Sequence, residues 1–178
     1  MALGIVNLAL RGFQVIFAVI VLALSVDLIK KNPENKVPAI HGYAAFVGAV
    51  SLVAAFIGIA AHFISFLEGI ISSLVDGFII LVNIAGGIVV AYTIRGIKCS
   101  TASSTREEFE NARKLAFNSL IGCKHPQDVK KCPGAYSGSR VDVIGRCKEN
   151  QADTAFLFLT AITCIGAVVI TWLHVRNK

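Results

Sequence analysis

The sequence is short of charge and lacks the motifs on which most predictions of enzymes and nucleic-acid-binding proteins depend. Only 16% of its 178 residues are charged, 55% are hydrophobic, and the mean hydropathy is +0.70. A soluble domain needs polar helix faces toward water, so this composition excludes one. The sequence has no Asn-x-Ser/Thr sequon, so N-glycosylation is not expected. Basic residues are not interleaved with aromatic ones in a stripe, so nucleic acid is not an expected partner.

Signatures of redox, transport and metal chemistry are also missing. No two cysteines have the Cys-x-x-Cys spacing of thiol oxidoreductases. There is no pair of Gly- or Pro-interrupted half-helices and no internal repeat, which are the usual pointers to a transport site. His41 and His62 lie at opposite ends of one apolar run, so they cannot face each other across a haem. We therefore predict no catalytic residue, no cofactor and no metal site.

What the chain does have is four long apolar runs, each near the ~20 residues that a helix needs to cross a bilayer. The runs are apolar all round, which is typical of membrane spans. A polar stretch, residues 93–153, separates the last two. We predict one all-α domain over residues 1–178, a four-helix transmembrane bundle with one large loop. The predicted spans are residues 12–28, 40–63, 69–92 and 154–173.

The basic residues and the cysteines of the large loop predict opposite topologies. The loop 93–153 carries eleven Lys and Arg residues, and the positive-inside rule would place it in the cytosol. The same loop carries four cysteines, Cys99, Cys123, Cys132 and Cys147, and persistent disulfides need an oxidising compartment. The charge rule weakens as loops lengthen. We therefore favour an extracytosolic loop and cytosolic termini.

The large loop contains a predicted amphipathic helix at residues 105–121. Thr105 and Glu108 have capping-box spacing, and Gly122 is a plausible stop. The predicted apolar face consists of Phe109, Ala112, Ala116 and Leu120. This face could lie on the bilayer surface or on the outer ends of the bundle, as a lid. We favour the lid.

The four loop cysteines allow three pairings, and spacing does not choose among them. A Cys123–Cys132 bridge would close a small turn around Pro126. A Cys99–Cys147 bridge would join the end of the third span to the start of the fourth. Cys164, inside the fourth run, is predicted to be a small packing residue.

Asp76 is the strongest single candidate for a functional residue, because a carboxyl group inside a membrane span is a functional-site hypothesis by default. Ser72 and Asn83 share its helix face. Arg11 and Gln14 should lie at similar depth and are candidate partners. At the opposite boundary Asp27 and Arg95 could pair. A polar face of this kind usually joins helices together, and we favour that over a proton or ion pathway or a lipid contact.

Small residues form a stripe along the second run, at Ala44, Gly48, Ser51, Ala55 and Gly58. Small residues let helix backbones approach closely within a membrane. We expect the stripe to serve packing inside the bundle, and the alternative is lateral self-association. The fourth run has a similar series at Thr160, Cys164, Ala167 and Thr171.

The layout of four spans, with a tiny second turn and a large loop before the fourth, resembles MARVEL-domain proteins. Two segments are similar to the third and fourth spans of the fungal non-classical-export family, which is associated with eisosomes. The matching residues are Asp76, Ala85-Gly86-Gly87, Ala91, Ile94-Arg95 and Cys99 in one segment, and Arg146-Cys147, Gln151-Ala152 and Ala155-Phe156-Leu157 in the other.

The resemblance implies cytosolic termini and a Cys99–Cys147 bridge. It also implies a non-enzymatic organiser of sphingolipid-sensitive plasma-membrane domains, with a link to export without a signal peptide. The implied partners are sphingolipid- or sterol-rich membrane, further copies of the chain and eisosome proteins. The Cys123/Cys132 pair and the short tail 174–178 depart from the family pattern. The alternatives are a small proton-coupled carrier centred on Asp76 and a vesicle-trafficking MARVEL protein.

Overall fold

The computed structural model describes residues 2–32, 37–63, 70–100, 106–123 and 143–176. Within these ranges the chain is helical and has no strand. Four of its helices are long and apolar enough to cross a membrane, which confirms the predicted all-α four-span fold. The helices are α1 (Ala2–Lys30), α2 (Ala39–Phe63), α3 (Ile70–Thr93), α4 (Arg106–Phe117) and α5 (Val143–Arg176).

The four long helices form a closed ring in which α1 packs against α2 and α5, and α3 packs against the same two helices. Helices α1 and α3 therefore lie at opposite corners, as do α2 and α5. Much of the core is built from alanine, including Ala18, Ala44, Ala55 and Ala161. Such small side chains let the helices approach closely where lipid gives no hydrophobic drive for association.

Two of the spanning helices extend well beyond the predicted apolar runs, and charged residues at or beyond the ends of those runs are buried in the bundle. Helix α1 begins at Ala2 rather than near Gly12, and Arg11 is only 2% exposed within it. Helix α5 begins at Val143 rather than near Thr154. Arg146, Asn150 and Asp153 of its first turns are all buried, so these turns belong to the bundle rather than to a polar loop.

Residues 94–100 and 106–123 form a cap at one end of the ring, which we call the cap end. Cys99 and Cys147 are joined by a disulfide, the pairing that the family resemblance implies. Around the bridge Leu115 and Ile121 pack with Ile94, Ile97 and Val143. Cys123 is also disulfide-bonded, and its predicted partner Cys132 lies outside the described residues.

Helix α4 is rotated relative to the predicted lid. Phe109 is 66% exposed, whereas Leu115 is 1% exposed. The rotation is set by Asn111, whose side chain bonds the backbone N and O of Lys98 at 2.8 and 2.7 Å and the O of Ser100 at 3.1 Å. Leu115, one turn further on, follows Asn111 inward. The predicted packing face was therefore wrong at Phe109 and Ala116, which are exposed, whereas Leu120 is buried as predicted.

Candidate functional site

An ion pair between Arg11 and Asp76 lies inside the bundle, near the end opposite the cap. Arg11 Nη1 lies 2.5 Å from Asp76 Oδ1, and Nη2 donates to Oδ2 at 2.6 Å. Both side chains are 2% exposed. Arg11 also donates to Gln14 Oε1 and to Ser72 Oγ, each at 2.9 Å. This bidentate geometry is the strongest that an arginine and a carboxylate form. Arg11 and Gln14 therefore lie at the depth of Asp76, as predicted.

The small-residue stripe of α2 makes room for this pair. A methyl group at Gly58 would collide with the guanidinium of Arg11. Further along the same stripe, a methyl group at Gly48 would lie 2.9 Å from the backbone N of Leu22 on α1. All five stripe residues are buried. The stripe is therefore turned toward the inside of the bundle, in keeping with a packing role.

A second polar contact joins α2 to α3 at mid-depth. Asn83 Nδ2 donates to Ser51 Oγ at 2.8 Å and to the backbone O of Ile79 at 2.9 Å. An apolar layer of Ala54, Ile79 and Cys164 packs beside it. Asn83 is two turns from Asp76, about 10 Å along the helix.

A third polar layer, near the cap end, was not predicted. Asp153 is fully buried, and its carboxylate accepts from Ser25 Oγ at 3.3 and 3.4 Å. His41 Nε2 lies 2.9 Å from Asn150 Oδ1, and both residues are fully buried. We call these four residues the cap-end layer. A second apolar layer, formed by Val21, Val47 and Leu157, separates it from Ser51 and Asn83.

Arg146 joins the cap-end layer to the cap. Its Nη1 donates to the backbone O of Lys31 at 2.6 Å, and its Nη2 donates to the backbone O of Leu120 at 2.7 Å. Lys31 immediately follows α1, whose C-terminal carbonyls carry partial negative charge, so a buried cation is favourable there. One side chain of α5 thus holds both the end of α1 and the cap.

The prediction that Asp27 pairs with Arg95 was wrong. Asp27 pairs with Lys31, one turn further along the chain, and Lys31 also reaches Glu149 Oε1 at 3.1 Å. Hydrogen bonds to Asp27 and then to Glu149 raise the pKa of the Lys31 ammonium. The nearer partner at helical spacing takes the carboxylate.

The carboxylates of the polar layers are bonded to other side chains within the bundle. Both oxygens of Asp76 accept from Arg11, and both oxygens of Asp153 face Ser25. Across the described ranges, no three His, Cys, Asp or Glu side chains are grouped to hold a metal ion. The polar layers therefore serve to connect helices, and two apolar layers lie between them.

One sequence pattern indicates the cap-end layer, although the apolar runs alone do not. Arg146, Asn150 and Asp153 are spaced by four and three residues, the spacing of one helix face. The same spacing continues through the buried residues of the fourth run, which are Leu157, Thr160, Cys164, Ala167 and Thr171. Extending that series backward would have placed the start of α5 before Arg146.

A ring of four membrane helices tied by inward-facing polar side chains defines a tetraspan integral membrane protein. Residues 4–170 match the MARVEL family, described as a membrane-associating domain, and the chain belongs to that family. Comparison with curated proteins and with solved structures gives no significant match.

Proposed function

We propose that this protein is a non-enzymatic organiser of plasma-membrane lipid domains of the sphingolipid-sensitive, eisosome-like kind. The single observation that carries the proposal is the contrast between the inside and the perimeter of the bundle. Inside, the titratable groups Arg11, Asp76, His41 and Asp153 are all bonded to other side chains. The perimeter is a broad apolar surface. The perimeter in contact with lipid is therefore the surface through which we expect the protein to act.

The perimeter supports the proposal because it offers lipid a large and irregular apolar surface. Aromatic side chains project from all four spanning helices, with Phe13 53%, Phe56 57%, Phe78 52% and Trp172 58% exposed. Rigid aromatic side chains between smaller aliphatic ones make a rough surface, which packs differently against ordered and disordered lipid chains. Aromatic residues also contribute much contact area for each residue.

The family resemblance supplies the finer parts of the proposal. It implies cytosolic termini and an external disulfide-bearing cap, in agreement with the need of a persistent disulfide for an oxidising compartment. It also implies that the protein acts in the plasma membrane and is linked to non-classical export. Its implied partners are eisosome proteins and further copies of the chain.

The proposal is tested by live imaging of a fluorescent fusion, carried out before and after sphingolipid synthesis is blocked. We expect stable cortical patches that disperse on depletion. Asp76→Asn is the matched variant, because asparagine keeps the shape of aspartate and removes its charge. If the variant is folded, an organiser keeps its patches. An even surface signal that does not respond to sphingolipid would contradict the proposal.

A further inference from the structure

The cap helix α4 has two chemically different sides. All three of its glutamates, Glu107, Glu108 and Glu110, line a cleft of about 480 Å³ that also contains Lys98 and Lys114. The side turned away from Asn111 and Leu115 carries a different set, which we call the outer face of α4. At 100° per residue, it consists of Arg106, Phe109, Arg113, Ala116 and Phe117.

The outer face combines exposed aromatic rings with positive charge. Phe109 is 66% and Phe117 is 48% exposed, and Arg106, Arg113 and Ala116 are exposed as well. Two phenylalanines left in water on a short helix are unfavourable. Arg106 and Arg113 lie beside the rings, whereas Glu107 and Glu108 lie on other sides of the helix and Glu110 lies at the edge of the face, next to Phe117. The face keeps a net positive charge, so it complements a partner that is apolar and carries negative charge.

The cap also holds one end of α4 at the level of the membrane boundary. Asn118 Nδ2 donates to the backbone O of Thr93 at 2.8 Å, and Thr93 is the last residue of the third candidate span. Phe117 directly precedes Asn118. Tyr92, beside Thr93, is 73% exposed, at the position where aromatic side chains favour the headgroup region.

We propose that the outer face of α4 docks on the surface of the bilayer that the protein itself spans. In this arrangement Phe109 and Phe117 enter the layer between headgroups and acyl chains, and Arg106 and Arg113 contact lipid phosphates. Such partly inserted helices bind through buried apolar area together with attraction to anionic lipid. The hydrogen bonds of Asn111 hold α4 against residues 98–100, which the disulfide of Cys99 joins to α5. The proposal rests on membrane insertion and not on the organising role.

Fluorescence quenching in reconstituted vesicles tests the docking. The full chain, in a Trp172→Phe background, carries Phe109→Trp, Phe117→Trp or the matched cleft-side control Glu107→Trp. The vesicles contain phosphatidylcholine and phosphatidylglycerol in a two-to-one ratio. Aqueous iodide and lipids brominated near the headgroup serve as the two quenchers. We expect the two outer-face variants to be quenched by bromolipid and shielded from iodide, and the control to show the reverse.

Charge variants of α4 and dilution of the protein into lipid distinguish docking on the bilayer from docking on another partner. Replacing Arg106 and Arg113 by Gln should lower the ratio of docked to undocked helix by roughly fivefold per arginine in anionic vesicles. Lys114→Gln on the cleft side should change it little. Iodide quenching of the outer-face variants equal to that of the control would overturn the proposal. So would shielding from iodide that disappears as protein is diluted into lipid, because that result indicates a second copy. None of these outcomes bears on whether patches form in cells.

Discussion

Arg11 of α1 and Asp76 of α3 pair across the diagonal of the bundle, 65 residues apart in the chain. Near the other end, His41 of α2 and Asn150 of α5 pair across the second diagonal. Neighbouring helices are held by close packing of small residues and by the contacts of Asn83 with Ser51 and of Ser25 with Asp153. The diagonal helices are held by the two polar contacts described above. The two crossed ties fix the ring from both ends, and hydrogen bonding within a bundle is the usual role of such residues.

Removing one partner of the Arg11–Asp76 pair should be more harmful than removing both. Arg11→Met leaves a buried carboxylate uncompensated and should cost about 3–5 kcal/mol of stability. Arg11→Met combined with Asp76→Leu should recover most of that loss. Unfolding free energies in mixed detergent micelles measure both effects. A double variant as unstable as the sum of the two single ones would show that the pair is not a unit.

A methyl group at Gly58 should disturb the same pair from α2. Gly58→Ala pushes on the guanidinium of Arg11, and overpacking of this kind costs typically about 1–3 kcal/mol. Gly12→Ala is the matched control, since nothing lies within 4 Å of a methyl group there. Thermal unfolding should separate the two variants. Equal unfolding temperatures would mean that Arg11 moves aside at no cost.

Loss of the Cys99–Cys147 bridge should release the cap and leave the spanning ring in place. The bridge closes a long segment of chain, and removing such a disulfide typically costs about 2–5 kcal/mol. Trypsin should then cut the double Ser variant faster after Arg113 and Lys114. Cys164→Ala, a buried free cysteine, is the control. Unchanged cutting of the double variant would show that the remaining contacts, among them those of Asn111 and Arg146, hold the cap without this bridge.

Arg146 should hold the cap independently of the disulfide. Arg146→Met leaves the backbone carbonyls of Lys31 and Leu120 without their donor. Hydrogen exchange should then speed up in residues 115–123 and at the end of α1. Exchange around Asp76 should stay unchanged. Lys148→Met, at an exposed neighbouring position, should affect neither region. Faster exchange throughout the bundle would instead assign Arg146 a role in the whole fold.

The sequence predicted the contact between Arg11 and Asp76 and missed the contacts made by the first turns of α5. Asp76 stands out because its neighbours are apolar, and Arg11 lies at a matching depth. Asp153 and Arg146 are equally buried, but they fall in a stretch whose average composition is polar. The orientation of α4 was not predictable from apolar spacing, because hydrogen bonds from Asn111 to the backbone of Lys98 and Ser100 decide it.

Partitioning of the purified protein in phase-separated giant vesicles tests the central claim most directly. The vesicles contain sphingolipid, sterol and unsaturated phospholipid, and a label on the chain reports its share of each phase. We predict enrichment of the protein in the sphingolipid-rich phase or at its boundary, with loss of that enrichment when sphingolipid is replaced by unsaturated phospholipid. Exclusion from the ordered phase and its boundary at every composition would contradict it.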